Sequence, residues 1–149
     1  MNKSPVASTK RKGTIAELRI GAKLLELGFE VYVPLVDDIG IDFVVRRRDG
    51  SCYEIQVKSV TDGGWFQVTV GERPEIAVRM RRLVVGVEGD GTCWVFPAKV
   101  FFNANVSRVS QNKKRRFVYD LNLDVTRRGN PSKNRELLRK YREAWNLLG

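Results

Sequence analysis

Polar side chains alternate along a stretch that otherwise has the composition of a buried strand. Residues 52–60 are rich in Val, Ile and Tyr, yet Glu54, Gln56 and Lys58 occupy every second position. Side chains of a strand point alternately to its two faces, so these three share one face. A second apolar stretch, which precedes the first across an Asp-Gly turn, carries Asp42 near its start. If the two stretches are neighbouring strands, an acid, an amide and a lysine converge between them, as in a divalent-metal site that faces a phosphate.

The length and charge of the chain limit the number of domains and the kind of partner that can be expected. Its 149 residues suffice for one domain, which we expect at 10–149 behind an aperiodic tail at 1–9. There are 27 Lys and Arg against 17 Asp and Glu, a net charge of +10, and no apolar run long enough to span a bilayer. The charge favours a polyanion such as nucleic acid as partner, and no membrane is expected. Many basic proteins catalyse no reaction, so charge alone leaves enzyme and binding protein open.

Histidine is absent from the sequence. Its absence excludes catalytic triads and zinc sites that use His, and nucleases in which His is the general acid or base. A hydrolase of this composition has to use carboxylates, lysine and a metal ion. The two cysteines, Cys52 and Cys93, lie far apart without Cys-x-x-Cys spacing, and no signal peptide is recognisable. We therefore expect reduced thiols in a cytoplasmic protein.

A helix is predicted over residues 14–27 near the start of the domain. Thr14 and Glu17 match a capping box, and Gly28 follows as a C-terminal cap. The apolar residues that recur at three- and four-residue steps are Ile15, Leu18, Ala22 and Leu25.

Short β-forming stretches, separated by Gly, Pro and Asp turns, fill the middle of the chain. Strands are predicted at 29–33, 41–46, 52–60, 65–70, 83–87, 92–96 and 117–123. Residues 74–82 leave a short helix or an irregular segment open, and 97–102 predict a helical turn. A C-terminal helix is predicted over 132–148, with a buried side formed by Leu137, Tyr141, Ala144, Trp145 and Leu148.

The order of helix and strands, with acids on the first helix and the second strand, resembles the PD-(D/E)XK nuclease superfamily. Its signature is an acid at the head of the second core strand, Glu or Gln two residues before Lys on the third, and frequently a Glu on the first helix. Asp42, Gln56 with Lys58, and Glu17 stand at those positions. The resemblance covers about residues 10–96 and is nearest to the branch of intron homing endonucleases and Holliday-junction-resolvase-like proteins.

This resemblance implies a fold and an activity. The fold is a restriction-endonuclease-like core: one α/β domain with a mixed central β-sheet flanked by helices, in αβββαβ order. The activity is Mg²⁺-dependent cleavage of DNA, with Mn²⁺ as a substitute, either homing-endonuclease-like or junction-resolvase-like. Asp42, Gln56 and Glu17 would ligate the metal ion. Lys58 would complete the catalytic set by orienting the attacking water and offsetting negative charge at the phosphate.

Gln56 departs from the carboxylate that is commoner at its position. An amide oxygen can ligate Mg²⁺ without bringing charge, so Asp42, Glu17 and the phosphate would have to neutralise the ion between them. A related glutamine is known in the homing-endonuclease branch. The departure leaves a second interpretation open, a catalytically inactive nucleic-acid-binding module of the same fold.

The other site residues also have purely structural explanations. Asp42 can terminate a turn after Gly40, although an acid at the head of an apolar strand is disfavoured without a partner. Lys58 can protect an edge strand from aggregation. Glu17 can serve the capping box alone, yet it lies away from the polar stripe of its helix. Glu54 is expected beside the ligand set rather than in it.

Two acids and two tryptophans outside this set are interpreted as structural residues. Asp37 and Asp38 are interpreted as loop acids. Trp65 and Trp94 are expected in the core rather than as platforms for base stacking.

Basic residues occur in short clusters that folding could bring onto one face. The predicted DNA-binding residues are Lys10, Arg11, Lys12, Arg46, Arg47, Arg48, Lys113, Lys114, Arg115 and Arg116. Smaller basic clusters are formed by Arg79, Arg81, Arg82, Arg127 and Arg128. The first cluster precedes the Glu17 helix and is the best candidate for phosphate contacts beside the cut, although any single cluster can be solvated surface only.

Cleavage of both strands or of a junction needs two active sites, and one small domain supplies one. A homo-oligomer, either a dimer or a tetramer, is therefore expected. A remaining interpretation is an assembly protein whose charge confers solubility alone.

Overall fold

The fold contains both helices and strands. The computed structural model describes residues 8–37, 39–61, 63–70, 74–126 and 128–149. The elements are α1 (Thr9–Glu26), β1 (Glu30–Tyr32), β2 (Phe43–Arg46), β3 (Cys52–Ser59), β4 (Trp65–Val70), α2 (Pro74–Arg79), β5 (Leu83–Val87), β6 (Cys93–Pro97), α3 (Ala98–Phe101), β7 (Arg108–Gln111), β8 (Phe117–Asn122) and α4 (Asn134–Leu137). Two 3₁₀ turns follow at Arg139–Tyr141 and Trp145–Leu148. No helix among the described residues has the length and apolarity needed to cross a bilayer. The predicted tail residues 1–7, Asp38 and Arg127 lie outside the described residues.

Two sheets form the centre of the fold. The larger has the order β1-β2-β3-β5-β6, and the smaller has the order β4-β8-β7. The β3–β5 pair is parallel and the other pairs are antiparallel, so the larger sheet is mixed. This confirms the predicted restriction-endonuclease-like α/β fold. Within its αβββαβ core, β4 is inserted before α2 and belongs to the second sheet.

The larger sheet is covered on both faces by apolar side chains. On one face, α1 packs through Ala16, Ile20 and Leu24 against side chains of the central strands. On the other face, the smaller sheet packs against β5 and β6. Gly86 permits this approach, because a Cβ there would lie 2.9 Å from the ring of Phe66. The sheet is thus a buried layer, and polar residues on its central strands need partners.

The apolar stripe noted in the sequence of α1 is not the face that packs on the sheet. Ile15, Leu18 and Leu25 of that stripe are exposed. Two sets of apolar residues recur along this helix at helical spacing. The sheet contacts the second set, which consists of Ala16, Ile20 and Leu24. Gly21 lies close to the sheet, since a Cβ there would lie 3.1 Å from the ring of Phe43.

The predicted start of the first helix is wrong by five residues, and so is its capping box. The helix begins at Thr9, where Ser8 is the N-cap and its hydroxyl oxygen accepts from Arg11 N at 3.3 Å. Thr14 is an interior residue whose hydroxyl donates to the carbonyl of Lys10 at 3.1 Å. The C-terminal end is as expected, with Gly28 after the helix at φ 83°. A capping role therefore does not explain Glu17.

The predicted C-terminal helix over 132–148 is also wrong, because this segment forms only α4 and two 3₁₀ turns. Glu143 interrupts it at φ 48° and donates its N–H to the carbonyl of Cys93 at 2.9 Å. Its carboxylate accepts from Cys93 N at 2.7 Å and from the indole of Trp145 at 2.8 Å. Leu137, predicted as buried, is exposed, and Leu138 is buried instead. Pairing with the edge of β6 replaces helix continuation here.

Candidate active site

Asp42 lies just ahead of β2, where the ladder between β2 and β3 ends. The last pair is Phe43 with Ile55, and the N–H of Asp42 donates to the carbonyl of Ile55 at 2.9 Å. Beyond this pair, the carboxylate of Asp42 accepts a hydrogen bond from the backbone N–H of Val57 on β3 at 2.6 Å. This side chain takes the place of a backbone acceptor. It is therefore held between two strands rather than merely ending a turn.

The protonation of Asp42 is set mainly by its half-buried position. The pKa of this carboxyl group is raised to about 6, mainly by burial and to a smaller extent by the neighbouring negative charge of Glu17. The hydrogen bond from Val57 N and the positive charge of Lys58 lower the pKa. Asp42 is thus ionised at neutral pH at an energetic cost that a bound cation would relieve.

Gln56 follows Ile55 on β3, and the ladder register therefore places it opposite Asp42. It is 3% exposed, and its Oε1 is a buried oxygen that has no hydrogen-bond partner among the described residues. Gly40 lies over the same amide, because a Cβ at position 40 would be 2.5 Å from Gln56 Nε2. An unpaired buried acceptor is costly and rare in folded proteins. This oxygen is consequently available to a ligand.

Glu17 reaches the site from α1. It is half-buried one turn before Gly21, the residue at which α1 approaches Phe43 of β2. Its charge acts on the pKa of Asp42, so the two carboxylates lie close enough to repel each other. The close approach at Gly21 explains how a helix on the outer layer brings an acid to the head of β2.

Lys58 lies on the central strand β3, where its backbone pairs with Gly86 of β5. β2 flanks β3 on its other side, so protection of an edge strand does not account for this lysine. It is half-buried, and its charge lowers the pKa of Asp42. The structure therefore places Gln56 opposite Asp42 and brings the charges of Glu17 and Lys58 close enough to act on its pKa. The catalytic roles of these four residues stay predictions.

Glu54 shares the face of Gln56 but belongs to a different interaction. Its carboxylate Oε2 accepts from Arg82 at 2.9 Å and 2.8 Å, and both side chains are buried. Glu54 is thus engaged in a buried ion pair beside the site. Arg82, grouped in the sequence with Arg81 as a basic cluster, is buried and does not belong to a DNA-binding surface.

Asp37 is a nearby acid that sequence reasoning assigned to the loop alone. Its Oδ1 accepts from Gly40 N at 2.6 Å, and its charge raises the pKa of Asp42. The carboxylate is exposed. The hydrogen bond from Gly40 to Asp37 holds the turn in which Gly40 lies over Gln56. In the sequence, only the five-residue separation between Asp37 and Asp42 indicated that Asp37 lies near the site.

The donor set fits a hard divalent cation. Carboxylate and amide oxygens are ligands of Mg²⁺, and none of the residues that the structure describes donates a hydrogen bond to Gln56 Oε1. Across the described residues, no three or more Asp, Glu, Cys or His side chains form a group suited to a metal ion. The candidate ligands are therefore two carboxylates, Asp42 and Glu17, and the amide of Gln56.

Two of the predicted DNA-binding clusters lie at opposite ends of the helix and sheet that carry the site. Lys10, Arg11 and Lys12 are exposed on α1 five to seven residues before Glu17, roughly 8–10 Å along the helix axis. Arg46, Arg47 and Arg48 lie at the far end of β2, which Arg46 terminates. There they line a cavity of about 650 Å³ with residues around the end of α1. Within this cluster, Arg46 also pairs with Glu30 at 3.6 Å.

The third predicted cluster forms the turn between β7 and β8, where Lys113, Lys114, Arg115 and Arg116 are all exposed. The side chain of Asn112 holds this turn by accepting from the backbone N–H groups of Lys114 and Arg116, each at 3.0 Å. The cluster is therefore an ordered hairpin tip.

The two tryptophans differ in environment. Trp94 is buried, as expected of a core residue, and its indole donates to Glu88 at 2.8 Å. Trp65 is half-buried, and the guanidinium of Arg108 lies 4.8 Å from its ring centre.

Comparison with known proteins identifies the family and supports the fold. The profile of the PD-(D/E)XK endonuclease family matches residues 7–124. Among solved structures, a bacterial homing endonuclease, I-Ssp6803I, is 26% identical with a TM-score of 0.57, over 96% of this chain and 92% of that one. Hjc, a Holliday junction resolvase from the archaeal hyperthermophile Archaeoglobus fulgidus, is 15% identical with a TM-score of 0.48, over 73% and 84%. No curated protein matches the sequence. Since the family profile spans most of the chain, the protein belongs to the PD-(D/E)XK endonuclease family.

Proposed function

We propose that this protein is a divalent-metal-dependent DNA endonuclease that hydrolyses phosphodiester bonds at the site around Asp42. The observation that carries the proposal is the buried Oε1 of Gln56, which has no hydrogen-bond partner in the described part of the chain; Gln56 lies opposite Asp42 in the β2–β3 register. A structural glutamine would be expected to satisfy this oxygen. Its availability supports a ligand role, and the family supports a nuclease.

Asp42, Gln56 and Glu17 would hold the cation, which we expect to be Mg²⁺ with Mn²⁺ as a substitute. When bound, the cation supplies Lewis acidity and positive charge at the scissile phosphate. Asp42 is positioned for this by the hydrogen bond from Val57 N at 2.6 Å. Glu17 adds the second negative charge, which compensates for the neutral amide at position 56.

Lys58 supplies hydrogen-bond donors and a positive charge beside Asp42. Its ammonium group is suited to orient the attacking water and to stabilise charge on the phosphate as the bond to the leaving oxygen breaks. Because β3 is paired on both sides, the lysine is presented from a rigid strand. Such fixed placement is what electrostatic stabilisation of a transition state requires.

Duplex DNA is the proposed substrate. The similarity to a bacterial homing endonuclease extends over 96% of the chain and favours cleavage of duplex DNA at a defined site. The exposed basic residues Lys10, Arg11 and Lys12 lie on the helix that carries Glu17, so they are placed to bind phosphates beside the cut.

A panel of duplex, single-stranded and four-way-junction DNA, incubated with Mg²⁺, Mn²⁺ or EDTA, tests the proposal. We expect fastest cleavage of duplex DNA, which requires a divalent ion. Asp42→Asn should slow cleavage by at least about 100-fold while duplex affinity is retained. Replacing a residue that only supports a metal ligand already costs up to about 100-fold, and replacing the ligand itself should cost more. Lys58→Ala should act in the same direction.

Gln56→Glu tests ligation directly. An added carboxylate at this position should tighten Mg²⁺ binding, measured by calorimetry and by the Mg²⁺ concentration that gives half-maximal cleavage. An unchanged metal dependence would exclude Gln56 from the ligand set.

A catalytically inactive DNA-binding module of the same fold is the second candidate, and the neutral Gln56 is the observation that favours it. In that case the unaltered protein would cut none of the substrates with any metal, yet would bind duplex DNA with a steep dependence on salt. Weak, salt-insensitive DNA binding would instead favour an assembly protein.

A further inference from the structure

The smaller sheet turns one face to the core and the other away from it. Its core-facing residues are apolar and include Phe66, Val68, Tyr119 and Leu121. Side chains alternate along a strand, so the residues between these lie on the outer face. The outer-face residues near the β3–β4 turn are Trp65, Gln67, Arg108, Asp120 and Asn122. All of them except Gln67 line a cavity of about 470 Å³.

Three of these side chains form one row across the sheet. The ladder pairs Asp120 with Gln67 on one side and with Arg108 on the other. Asp120 Oδ1 accepts from Gln67 Nε2 at 2.8 Å, and Oδ2 accepts from Arg108 Nε at 3.2 Å and Nη2 at 2.6 Å. The carboxylate is buried, and both of its oxygens are paired as burial requires. Asp120 therefore fixes the orientation of the guanidinium group.

Trp65 supports the same guanidinium from a second direction. Arg108 and Trp65 belong to the two outer strands of the smaller sheet, so the arginine side chain crosses the middle strand. Its guanidinium carbon lies 4.8 Å from the centre of the Trp65 ring, a cation–π contact. An arginine that is already held in two ways loses little further freedom when it binds a partner.

One edge of this guanidinium is left to a partner outside the described residues. Asp120 takes the edge formed by Nε and Nη2, whereas Nη1 makes no hydrogen bond to any residue that the structure describes. The Arg108 side chain is 35% exposed and lines the cavity, so a partner can reach it. Nη1 and the second N–H of Nη2 form a planar pair of donors. Two adjacent acceptors match such a pair, as in guanine or a phosphate.

Charge favours a base edge over a phosphate. Asp120 neutralises the charge of Arg108, which weakens the attraction of this arginine for a phosphate. A base edge carries no net charge, and its recognition depends on fixed donor geometry, which Asp120 and Trp65 provide. In the major groove, guanine is the base that presents two acceptors side by side.

Trp65 brings this arrangement close to the proposed cleavage site. Thr61 N donates to the carbonyl of Trp65 at 2.9 Å, and Thr61 is three residues beyond Lys58. The backbones of Lys58 and Trp65 are therefore within roughly 16 Å of each other. This distance corresponds to about five base pairs, so one duplex can contact both regions.

The basic tip of the β7–β8 hairpin lies at the other end of the same sheet. Lys113, the first of its four exposed basic residues, is five residues beyond Arg108, roughly 16 Å along an extended strand. A two-stranded β-ribbon fits the major groove of B-DNA. The hairpin can thus bind phosphates with its tip while Arg108 faces the bases.

We propose that Arg108 is a specificity-determining residue, which recognises a guanine in the major groove beside the cut by donating from Nη1 and Nη2 to O6 and N7. Asp120 and Trp65 are its positioning residues. The inference rests on the proposed function, because it takes duplex DNA as the substrate, but it concerns recognition rather than hydrolysis.

Selection from a library of randomised duplexes tests recognition apart from cleavage. The full chain is incubated with the library in EDTA and, separately, in Ca²⁺, and the bound duplexes are sequenced. We expect the parent protein to select a guanine at a fixed position. Arg108→Lys keeps a positive charge beside Asp120 but lacks the planar donor pair, so it should lose this guanine and keep the other selected bases. Its affinity for the best duplex should fall about 5- to 150-fold, the discrimination of one bidentate contact.

Lys114→Ala is the matched control, because Lys114 is an exposed basic residue at the tip of the same hairpin. It should weaken binding of all sequences to a similar degree and leave the selected bases unchanged. A modified base tests the contact in the unaltered protein, whatever the stability of the variant. Deazaguanine, which lacks the N7 acceptor, should weaken parent binding at the selected position and should not weaken Arg108→Lys further.

The absence of any base preference in the parent protein would overturn the proposal. An equal effect of Arg108→Lys on all sequences would also overturn it and would assign Arg108 to a phosphate. Failure of the proposed nuclease is seen separately, as a protein that selects guanine but cuts nothing with Mg²⁺ or Mn²⁺. Cleavage of duplex DNA without base preference would contradict the recognition and retain the nuclease.

Discussion

Gly40 packs so closely on Gln56 that a Cβ at position 40 would lie 2.5 Å from the amide nitrogen Nε2. The residue also has φ 75°, which L side chains rarely adopt. One glycine therefore meets two requirements at once, the conformation of the turn and room for the amide. The turn itself is held by Asp37, whose carboxylate accepts from Gly40 N.

Gly40→Ala should consequently disturb the site beyond its cost in stability. Gly50 is the matched control, because it has φ 82° and nothing within 4 Å of an added Cβ. Both alanine variants should lose about 1–2 kcal/mol of unfolding free energy from backbone strain. Only Gly40→Ala should weaken Mg²⁺ binding and slow cleavage, measured by calorimetry and on duplex DNA. Equal metal affinity in the two variants would show that the amide of Gln56 is not a ligand.

Asp42 should give the metal-free protein an unusual pH dependence. Its pKa is about 6 in the folded state against 3.8 as the ordinary value, so the folded protein binds a proton in this interval that the unfolded chain does not. By linkage, this group's contribution to stability increases as the pH falls from about 6 toward 3.8, and its ionisation is a cost above 6.

Asp42→Asn removes this dependence while keeping an acceptor for Val57 N. In EDTA the variant should be more stable than the parent above the folded-state pKa, by about 2 kcal/mol once the full value of about 3 kcal/mol is discounted for the partial solvent exposure of the group. The difference should vanish near the unfolded value. Urea unfolding of both proteins across the interval checks this. A difference that is constant with pH would mean that the pKa of Asp42 is not raised.

Glu54→Gln should separate stability from catalysis. Glu54 and Arg82 form a buried ion pair at 2.8 Å, and loss of one charge from such a pair costs about 3 kcal/mol. We expect a lower midpoint of urea unfolding with unchanged Mg²⁺ affinity. A weakened metal affinity with normal stability would place Glu54 among the ligands instead.

The basic cluster on α1 should contribute to DNA affinity through phosphates. Replacement of Lys10, Arg11 and Lys12 by alanine should make DNA affinity less sensitive to salt. The plot of log affinity against log salt concentration should become less steep by up to about 2.7, which is roughly 0.9 for each of three phosphates that are no longer neutralised. Binding of several duplex sequences should weaken to a similar degree. The corresponding replacement of Arg46, Arg47 and Arg48 at the far end of β2 provides the comparison, and a larger effect there would shift the predicted DNA path.

Much of the site could be predicted from residues near one another in sequence. The alternation of Glu54, Gln56 and Lys58 follows from the two-residue period of a strand, and the turn before it predicts the hairpin that brings Asp42 alongside. Absence of histidine left carboxylates and lysine as the available chemistry. The family match confirms the superfamily to which these residues pointed.

The environments of individual residues were decided only by tertiary structure. The apolar residues of α1 form two stripes at helical spacing. Packing against the sheet buries the stripe that consists of Ala16, Ile20 and Leu24. The C-terminal segment has helical periodicity, yet the backbone of Cys93 offered Glu143 partners that a helix could not.

The sequence alone determined the strand pattern, the polar face opposite Asp42 and the chemical class of the site, because these depend on local periodicity and residue type. Tertiary structure decided that Glu54 pairs with Arg82, that Gly40 covers Gln56 and that the stripe of Leu18 and Leu25 is exposed. Such contacts join residues distant in the chain. No local pattern encodes them, since each depends on how whole layers of the fold pack together.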